Sequence, residues 1–425
     1  MQLSRFTSLR LSSVLLILLV TFVAGCGSNG VNTTKSANTD PLRRVQTGAS
    51  DIPAFYTWTR EVPPTPGQML RTEQLTPDQS LAKAGRNIRL LYTSTDGNDN
   101  RTPIVVSGAL FVPKGIAPQG GWPVMAWAHG TVGSADVCAP SLAGRRERDV
   151  RYLNYWLGQG YAIVATDYQG LGTPGLHPQG LTRPLAYSVL DSIRAVTRGS
   201  FDLSARVVVF GHSQGGRAAF ATAVYAKTYA PELNIVGVVS TGTPYAAVDL
   251  HAGNVEQENA NKSVVPTFAY AMLHLSTAAL LDPSFVPADY LNDRAMPAFA
   301  TSQRACLNVI EQKIITDGLT FDNSFKRSPK TALDKLSREA AYPTLKSDIP
   351  MFIGTGGKDI DVFTSVQAAL VADACKAGDR IEWHLYPELD HSGSVNGSLP
   401  DSSIFVRKAF SGESITGNCR ALPSS

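Results

Sequence analysis

The chain has 425 residues, so its length admits one large domain with an insertion, or two to three ordinary domains. Hydrophobic residues make up 43 %, enough for a sizeable core, and charged residues make up 17 %, below the usual share of about 25 %. The formal net charge of +3 gives no support for a nucleic-acid partner, which needs a concentrated basic patch, and it is compatible with a neutral or apolar substrate.

At the N-terminus, Arg5 and Arg10 precede an apolar stretch, residues 11–23. It is too short for a comfortable membrane span and has the length of a signal-peptide core. The stretch ends in Val23-Ala24-Gly25-Cys26, which resembles the lipobox of bacterial lipoproteins. There, small residues fit the signal peptidase and the cysteine thiol receives diacylglycerol. Residues 1–25 are therefore read as a lipoprotein-type signal peptide, with Cys26 as the lipidation site. Residues 26–50, rich in Asn, Thr and Ser, are read as a flexible tether. On this reading the chain is exported and associates with a membrane through its lipidated N-terminus, in the periplasm or at the cell surface. The alternative is an ordinary secretory signal that happens to contain a cysteine. Cys138, Cys306, Cys375 and Cys419 remain, an even number that suggests disulfides in an exported chain. Four cysteines allow three pairings, and spacing does not choose among them. No Cys/His cluster has zinc spacing, so neither a metal nor another cofactor is expected.

Residues 51–81 are proline-rich and are expected to wrap the surface. Strands and helices then alternate. Residues 87–95 and 104–112 predict a strand pair across the turn-rich Thr95-Asp96-Gly97-Asn98-Asp99-Asn100. Residues 123–128 form a short apolar strand, and residues 147–158 a helix with Val150, Leu153, Tyr155, Trp156 and Leu157 largely on one side. Further strands are expected at 161–166, 206–210, 235–239, 349–353 and 380–386, and helices at 185–198 and 214–229. This rhythm implies an α/β fold with a mainly parallel sheet covered by helices on both faces. It breaks over residues 245–341, where helical runs such as 268–281 occur without a convincing buried strand. That segment is read as a cap or lid inserted between two parts of the core, residues 51–244 and 342–425. In open α/β sheets ligands sit outside the carboxyl ends of the strands, so an insertion there can roof the site.

Gly211-His212-Ser213-Gln214-Gly215 is a G-x-S-x-G pentapeptide. On the order of one chain in ten of this length carries one by chance at ordinary glycine usage, so context decides. Here it lies between a predicted strand and a predicted helix, as a nucleophile turn requires. A serine hydroxyl also needs a base and an orienting acid, which follow in the order Ser, Asp or Glu, His in such folds. Of seven histidines, His384 and His391 lie late enough. His384 sits inside an alternating strand, whereas His391 follows that strand in a loop, and is preferred. In the loop after residues 349–353, Asp359 and Asp361 both qualify by position. Gly356-x-x-Asp359-x-x-Val362 favours Asp359, leaving Asp361 as an N-cap for a helix over 363–375. For the oxyanion hole, one donor is the N–H of Gln214; the other is that of Thr131 or of Gly130, in the loop after the 123–128 strand. His129 precedes the serine and is expected to support that loop.

Several motifs together resemble one family. Ala128-His129-Gly130-Thr131, Cys138-Ala139-Pro140-Ser141, Asp167-Tyr168-Gln169-Gly170-Leu171-Gly172 and Gly211-His212-Ser213-Gln214-Gly215-Gly216 look like the secretory lipases of the α/β-hydrolase superfamily, the yeast lipase A type. The resemblance runs from about Arg89 to the C-terminus and is weakest through the insertion. It implies esterase or lipase activity on a small-molecule or lipid ester, a helical cap after the sixth strand, and a triad of Ser213, Asp359 and His391. It also implies the pairs Cys138–Cys306 and Cys375–Cys419. The lipobox and tether are not part of that family pattern. Acyl transfer would use the same triad. A serine peptidase of this fold would be expected to bring a gating domain, which is not evident here. A non-catalytic lipid-binding surface protein on the same scaffold is disfavoured by an intact Ser, Asp and His set.

Overall fold

The computed structural model describes residues 52–245 and 262–421. The expected signal peptide, tether and lipidated Cys26 lie outside them, as does the start of the insertion. Among the described residues nine strands form one sheet, in the order β1-β2-β3-β5-β4-β6-β7-β8-β9. They are β1 (Met69–Gln74), β2 (Ala84–Thr95), β3 (Pro103–Pro113), β4 (Trp122–Ala128), β5 (Ala162–Thr166), β6 (Leu203–His212), β7 (Asn234–Thr241), β8 (Met351–Gly356) and β9 (Ile381–Tyr386). From β5 to β9 all neighbours run parallel. On the other side β1, β2 and β3 form an antiparallel meander, and β3 pairs antiparallel with β5.

The strand residues explain this arrangement. Val207, Val208, Val209 and Phe210 in β6 are all buried, with no polar alternation. Val207 and Val209 enter one core layer and Val208 and Phe210 the other, because successive side chains point to opposite faces and both faces are covered. Helices α2 (Thr182–Thr197), α3 (Gln214–Tyr229) and α8 (Thr364–Lys376) contribute to the first layer. Helices α1 (Glu147–Gly158) and α9 (Leu399–Ser411) contribute to the second.

Two expectations need correction. Residues 51–81 do not merely wrap the surface: Phe55, Tyr56, Leu75 and Leu81 are buried, and β1 adds an edge strand paired to β2. In α1 it is Tyr152, not Tyr155, that joins Leu153, Trp156 and Leu157 in the core. Tyr155 stays at the rim, where its hydroxyl meets Ser403 Oγ at 3.0 Å. The i, i+3/i+4 stripe places 152, 153, 156 and 157 on one face and turns 155 away.

Between β7 and β8 the chain leaves the sheet. Helices α4 (Phe268–Leu281), α5 (Met296–Ser302), α6 (Leu307–Asp317) and α7 (Lys330–Glu339) enclose a hydrophobic cluster of their own, built on Leu273, Leu275, Leu307, Ile310 and Ile314. Since β1 was not foreseen, this insertion follows the seventh strand of the sheet rather than the sixth. Leu181, in the loop before α2, belongs to that same cluster and ties it to the core.

Cys138 pairs with Cys306 and Cys375 with Cys419, as the family resemblance implied. The first bridge joins the segment after β4 to the N-cap of α6, beside a β-bridge between Gly133 and Cys306. It spans 168 residues of sequence. Closing so long a loop removes much unfolded-state entropy, so replacing both cysteines by serine is expected to cost about 2–5 kcal/mol. Chemical denaturation of the double variant against wild type measures it.

Candidate active site

The order of the sheet reverses around β4. The chain moves from β4 to β5 on one side, then crosses to β6 on the other, which opens a crevice beyond the carboxyl ends of β4 and β6. The G-x-S-x-G turn sits at that crevice. β6 ends at His212, α3 begins at Gln214, and Ser213 between them has φ 60° and ψ −123°. Few non-glycine residues adopt a positive φ, and such strain concentrates at functional sites. The turn is held by Ser213 N–H donating to Thr241 O at 2.9 Å. Its glycines are sterically required. A Cβ on Gly215 would lie 1.9 Å from Ala128 O, and one on Gly211 1.8 Å from Gly215 O. Strand β4, the turn and α3 therefore approach backbone to backbone, and Gln214 N–H, at the first position of α3, has no partner within its own helix.

His391 follows β9 and is buried, and its Nδ1 donates to Asp359 Oδ2 at 2.8 Å. Asp359 follows β8 and is fully supplied with donors. Oδ1 accepts from Asp361 N (3.0 Å) and Val362 N (2.8 Å), and Oδ2 also accepts from Gln367 Nε2 (2.8 Å). Four donors converging on one buried carboxylate fix its direction. The Asp-x-x-Val spacing has its physical reason here, since the Val362 N–H closes the loop onto the carboxylate. With Nδ1 occupied, the lone pair of Nε2 remains available as a base. Among the described residues Ser213 Oγ has no hydrogen-bond partner, a common situation before substrate tightens such contacts.

His212 and His391 pack ring against ring, with centroids 4.4 Å apart. His212 Nδ1 meets Thr241 Oγ1 at 3.0 Å, while Nε2 is buried without a partner. Burial, reinforced by Arg148 and His391, pushes the His212 imidazole well below its ordinary range. A neutral His212 places no cation against the His391 ring. Gly242, at φ 58°, lies against the edges of both rings, and a Cβ there would meet both.

The loop after β4 is locked by its neighbours. Tyr168 OH donates to His129 O at 3.0 Å, and His129 Nδ1 donates to Gly130 O at 2.7 Å. In a trans peptide the N–H points opposite to the C=O, so pinning these two carbonyls turns the N–H groups of Gly130 and Thr131 the other way. Gly130 lies against the Ser213 turn, where an added Cβ would sit 3.4 Å from Ser213 Cβ. Gln179 Nε2 donates to Thr131 Oγ1 at 2.8 Å. Beneath the loop, Asp167 is buried and accepts from Ser141 N (2.8 Å) and Ser107 Oγ (2.7 Å). The Cys138–Ser141 and Asp167–Gly172 motifs are thus support for the loop. His129 packs on Tyr168 with the rings tilted, and burial pushes its imidazole below the ordinary range. Tyr168 itself is buried at φ 71°. Tyr168→Phe is expected to lower kcat about tenfold to a hundredfold with KM little changed, since misplacing donors by less than an ångström is costly in the transition state. Steady-state kinetics on a soluble ester checks it.

Of the other two candidates, only His384 falls away from the site. His384 lies within β9, stacked on Phe352 and hydrogen bonded to Glu382 Oε1 at 3.2 Å. Asp361 is not a helix cap: α8 begins at Thr364 with Phe363 at its N-cap, and the Asp361 carboxylate instead lies 4.0 Å from His391 Nε2. Gln367, His212, Gln179 and Tyr168 were not singled out by the sequence. Only the motif positions of His212 and Tyr168 hinted at them.

A mainly parallel sheet flanked by helices, with a helical insertion between β7 and β8, is the α/β-hydrolase fold. A secretory lipase family model matches residues 146–418, and the chain belongs to the secretory lipase family, carboxylic-ester hydrolases of the lipase/esterase type. Lipase A of Moesziomyces aphidis is 26 % identical over 381 residues, covering 81 % of this chain and 77 % of that protein. The crystal structure of Candida antarctica lipase A in its closed state superposes with a TM-score of 0.68 at 24 % identity, covering 87 % of this chain and 88 % of that one. A ligand-bound form of the rice cell wall degrading esterase LipA from Xanthomonas oryzae gives a TM-score of 0.62 at 18 % identity, covering 81 % and 98 %.

Proposed function

We propose that Ser213 is the nucleophile, His391 the general base and Asp359 the orienting acid of a serine esterase or lipase that works through an acyl-enzyme. The observation that carries this reading is the His391–Asp359 pair at 2.8 Å, on loops at the same end of the sheet as the strained Ser213 turn. In this mechanism His391 Nε2 takes the Ser213 proton as Oγ attacks the ester carbonyl. The N–H of Gln214, with that of Gly130 or Thr131, holds the oxyanion. The imidazolium then protonates the leaving alcohol, and water, activated by His391, releases the acid. The helices of the insertion, tied to the β4 loop through Cys138–Cys306, act as a cap that sets acyl length through pocket shape.

Export is part of the proposal. Two disulfides suit an oxidising compartment, and the residues ending in Cys26 supply a lipidated anchor. No helix among the described residues is long and apolar enough to cross a membrane. The test is release of p-nitrophenol from acetate, butyrate, octanoate and palmitate esters by the purified protein. Turnover is expected, and the chain-length profile separates an esterase from a lipase. A folded protein inert on all four contradicts the reading.

A further inference from the structure

We propose that Asp361 is a positioning residue for the reaction: its carboxylate faces the outer nitrogen of His391 and sets the proton affinity of that imidazole. The inference rests on the reading of His391 as the base. It starts from geometry. The two His391 nitrogens are each approached by a carboxylate, Asp359 Oδ2 at 2.8 Å from Nδ1 and Asp361 Oδ2 at 4.0 Å from Nε2. The second contact is not accidental in register. Asp361 N–H donates to Asp359 Oδ1, so the first carboxylate anchors the backbone that carries the second. Among the described residues the Asp361 carboxylate accepts no hydrogen bond of its own, which leaves it directed at the imidazole.

The surroundings put Asp361 in competition. From its own loop comes Asp359, and from the His391 loop come His391 and Asp390. Arg146 approaches from the start of α1. Tyr270 on α4 and Glu311 on α6 reach it from the insertion. Burial raises the Asp361 carboxyl, His391 and Arg146 pull it down, and Asp359 and Asp390 push it up. Glu311 is likewise raised, first by burial.

The consequence follows from charge. With Asp361 ionised, its negative charge 4.0 Å from Nε2 stabilises the protonated imidazole through space. An opposite charge at this distance favours the charged form of the base, and with 31 % of the Asp361 side chain exposed solvent weakens the effect. Ionised Asp361 therefore strengthens His391 as a base and steadies the imidazolium that forms during attack. It also delays the appearance of the free base to higher pH, so the acid limb of activity lies higher than Asp359 alone would set it.

The test compares wild type with Asp361→Asn and Asp361→Ala by two readouts. One is the pH dependence of kcat/KM on p-nitrophenyl butyrate. The other is the NMR titration of the His391 Cε1–H, which needs no turnover. In both variants the acid limb and the His391 midpoint are expected to move down by about one pH unit. Midpoints that coincide with wild type, or that move up, overturn the proposal, as does a shift in only one variant, which would trace to shape rather than charge. If wild type shows no Ser213-dependent turnover, the reading of the site fails, and the NMR titration still decides the role of Asp361.

Discussion

Replacing Ser213 by alanine is expected to lower kcat for ester hydrolysis by about 10⁶-fold, the scale seen when the nucleophile of a serine triad is removed. Every element of the turn is spent on that one hydroxyl. The strained φ of 60° lifts it above the sheet, and Gly211, Gly215 and Gly216 leave room for nothing larger than hydrogen. Ser213 Oγ holds no structural hydrogen bond among the described residues, so losing it leaves the fold intact. Alanine meets the same φ cost as serine, so stability should stay within about 1 kcal/mol of wild type. Kinetics beside an urea melt of the same preparation checks both halves. A large loss of stability would mean that the serine serves the fold, and unaltered turnover would mean that it serves nothing in the chemistry.

Asp359→Asn should lower kcat about 10⁴-fold, the cost of the wrong imidazole tautomer in a serine triad. The carboxylate accepts from four donors, and asparagine can replace only one of its oxygens as an acceptor. If its carbonyl keeps Asp361 N and Val362 N, its amide faces His391 Nδ1 and Gln367 Nε2. Nδ1 must then become the acceptor, the proton moves to Nε2, and the lone pair that should take the Ser213 proton is gone. The loop retains its two backbone bonds, so the defect is expected in kcat and not in the fold. Asp361→Asn, in contrast, leaves Nδ1 bonded to Asp359 and moves the pH profile, which separates the two carboxylates by experiment.

Much of this was legible in the sequence where local signals suffice. The strand at 206–210 and the helix at 214–229 frame Ser213, and the structure has β6 ending at His212 and α3 beginning at Gln214. Chain order and the loop after β9 separated His391 from His384, because a strand residue alternates across the sheet while a loop residue can turn over its end. Edge strand β1 was hidden by the prolines around it and by its polar run Arg71-Thr72-Glu73-Gln74, natural for an edge whose residues are half-exposed or exposed. Pro184 delayed the expected start of α2, yet proline is tolerated in a first turn. The disulfide pairs came only through the family resemblance, since spacing left three arrangements open. What no local pattern reveals is the meeting of loops from different strands. His212 against His391, Gln367 on Asp359, Tyr168 behind His129 and Asp361 beside Nε2 depend on how β4 to β9 align.

The central claim is that Ser213 is a nucleophile poised to attack an ester-like centre. A p-nitrophenyl alkylphosphonate tests it most directly. Attack by Ser213 Oγ on phosphorus expels p-nitrophenolate and leaves a stable phosphonyl-serine. Intact mass should show one adduct per chain with one equivalent of p-nitrophenolate released, peptide mapping should place it on Ser213, and Ser213→Ala should take up none. A folded wild type that stays unlabelled, or an adduct mapped to another residue, would contradict the account.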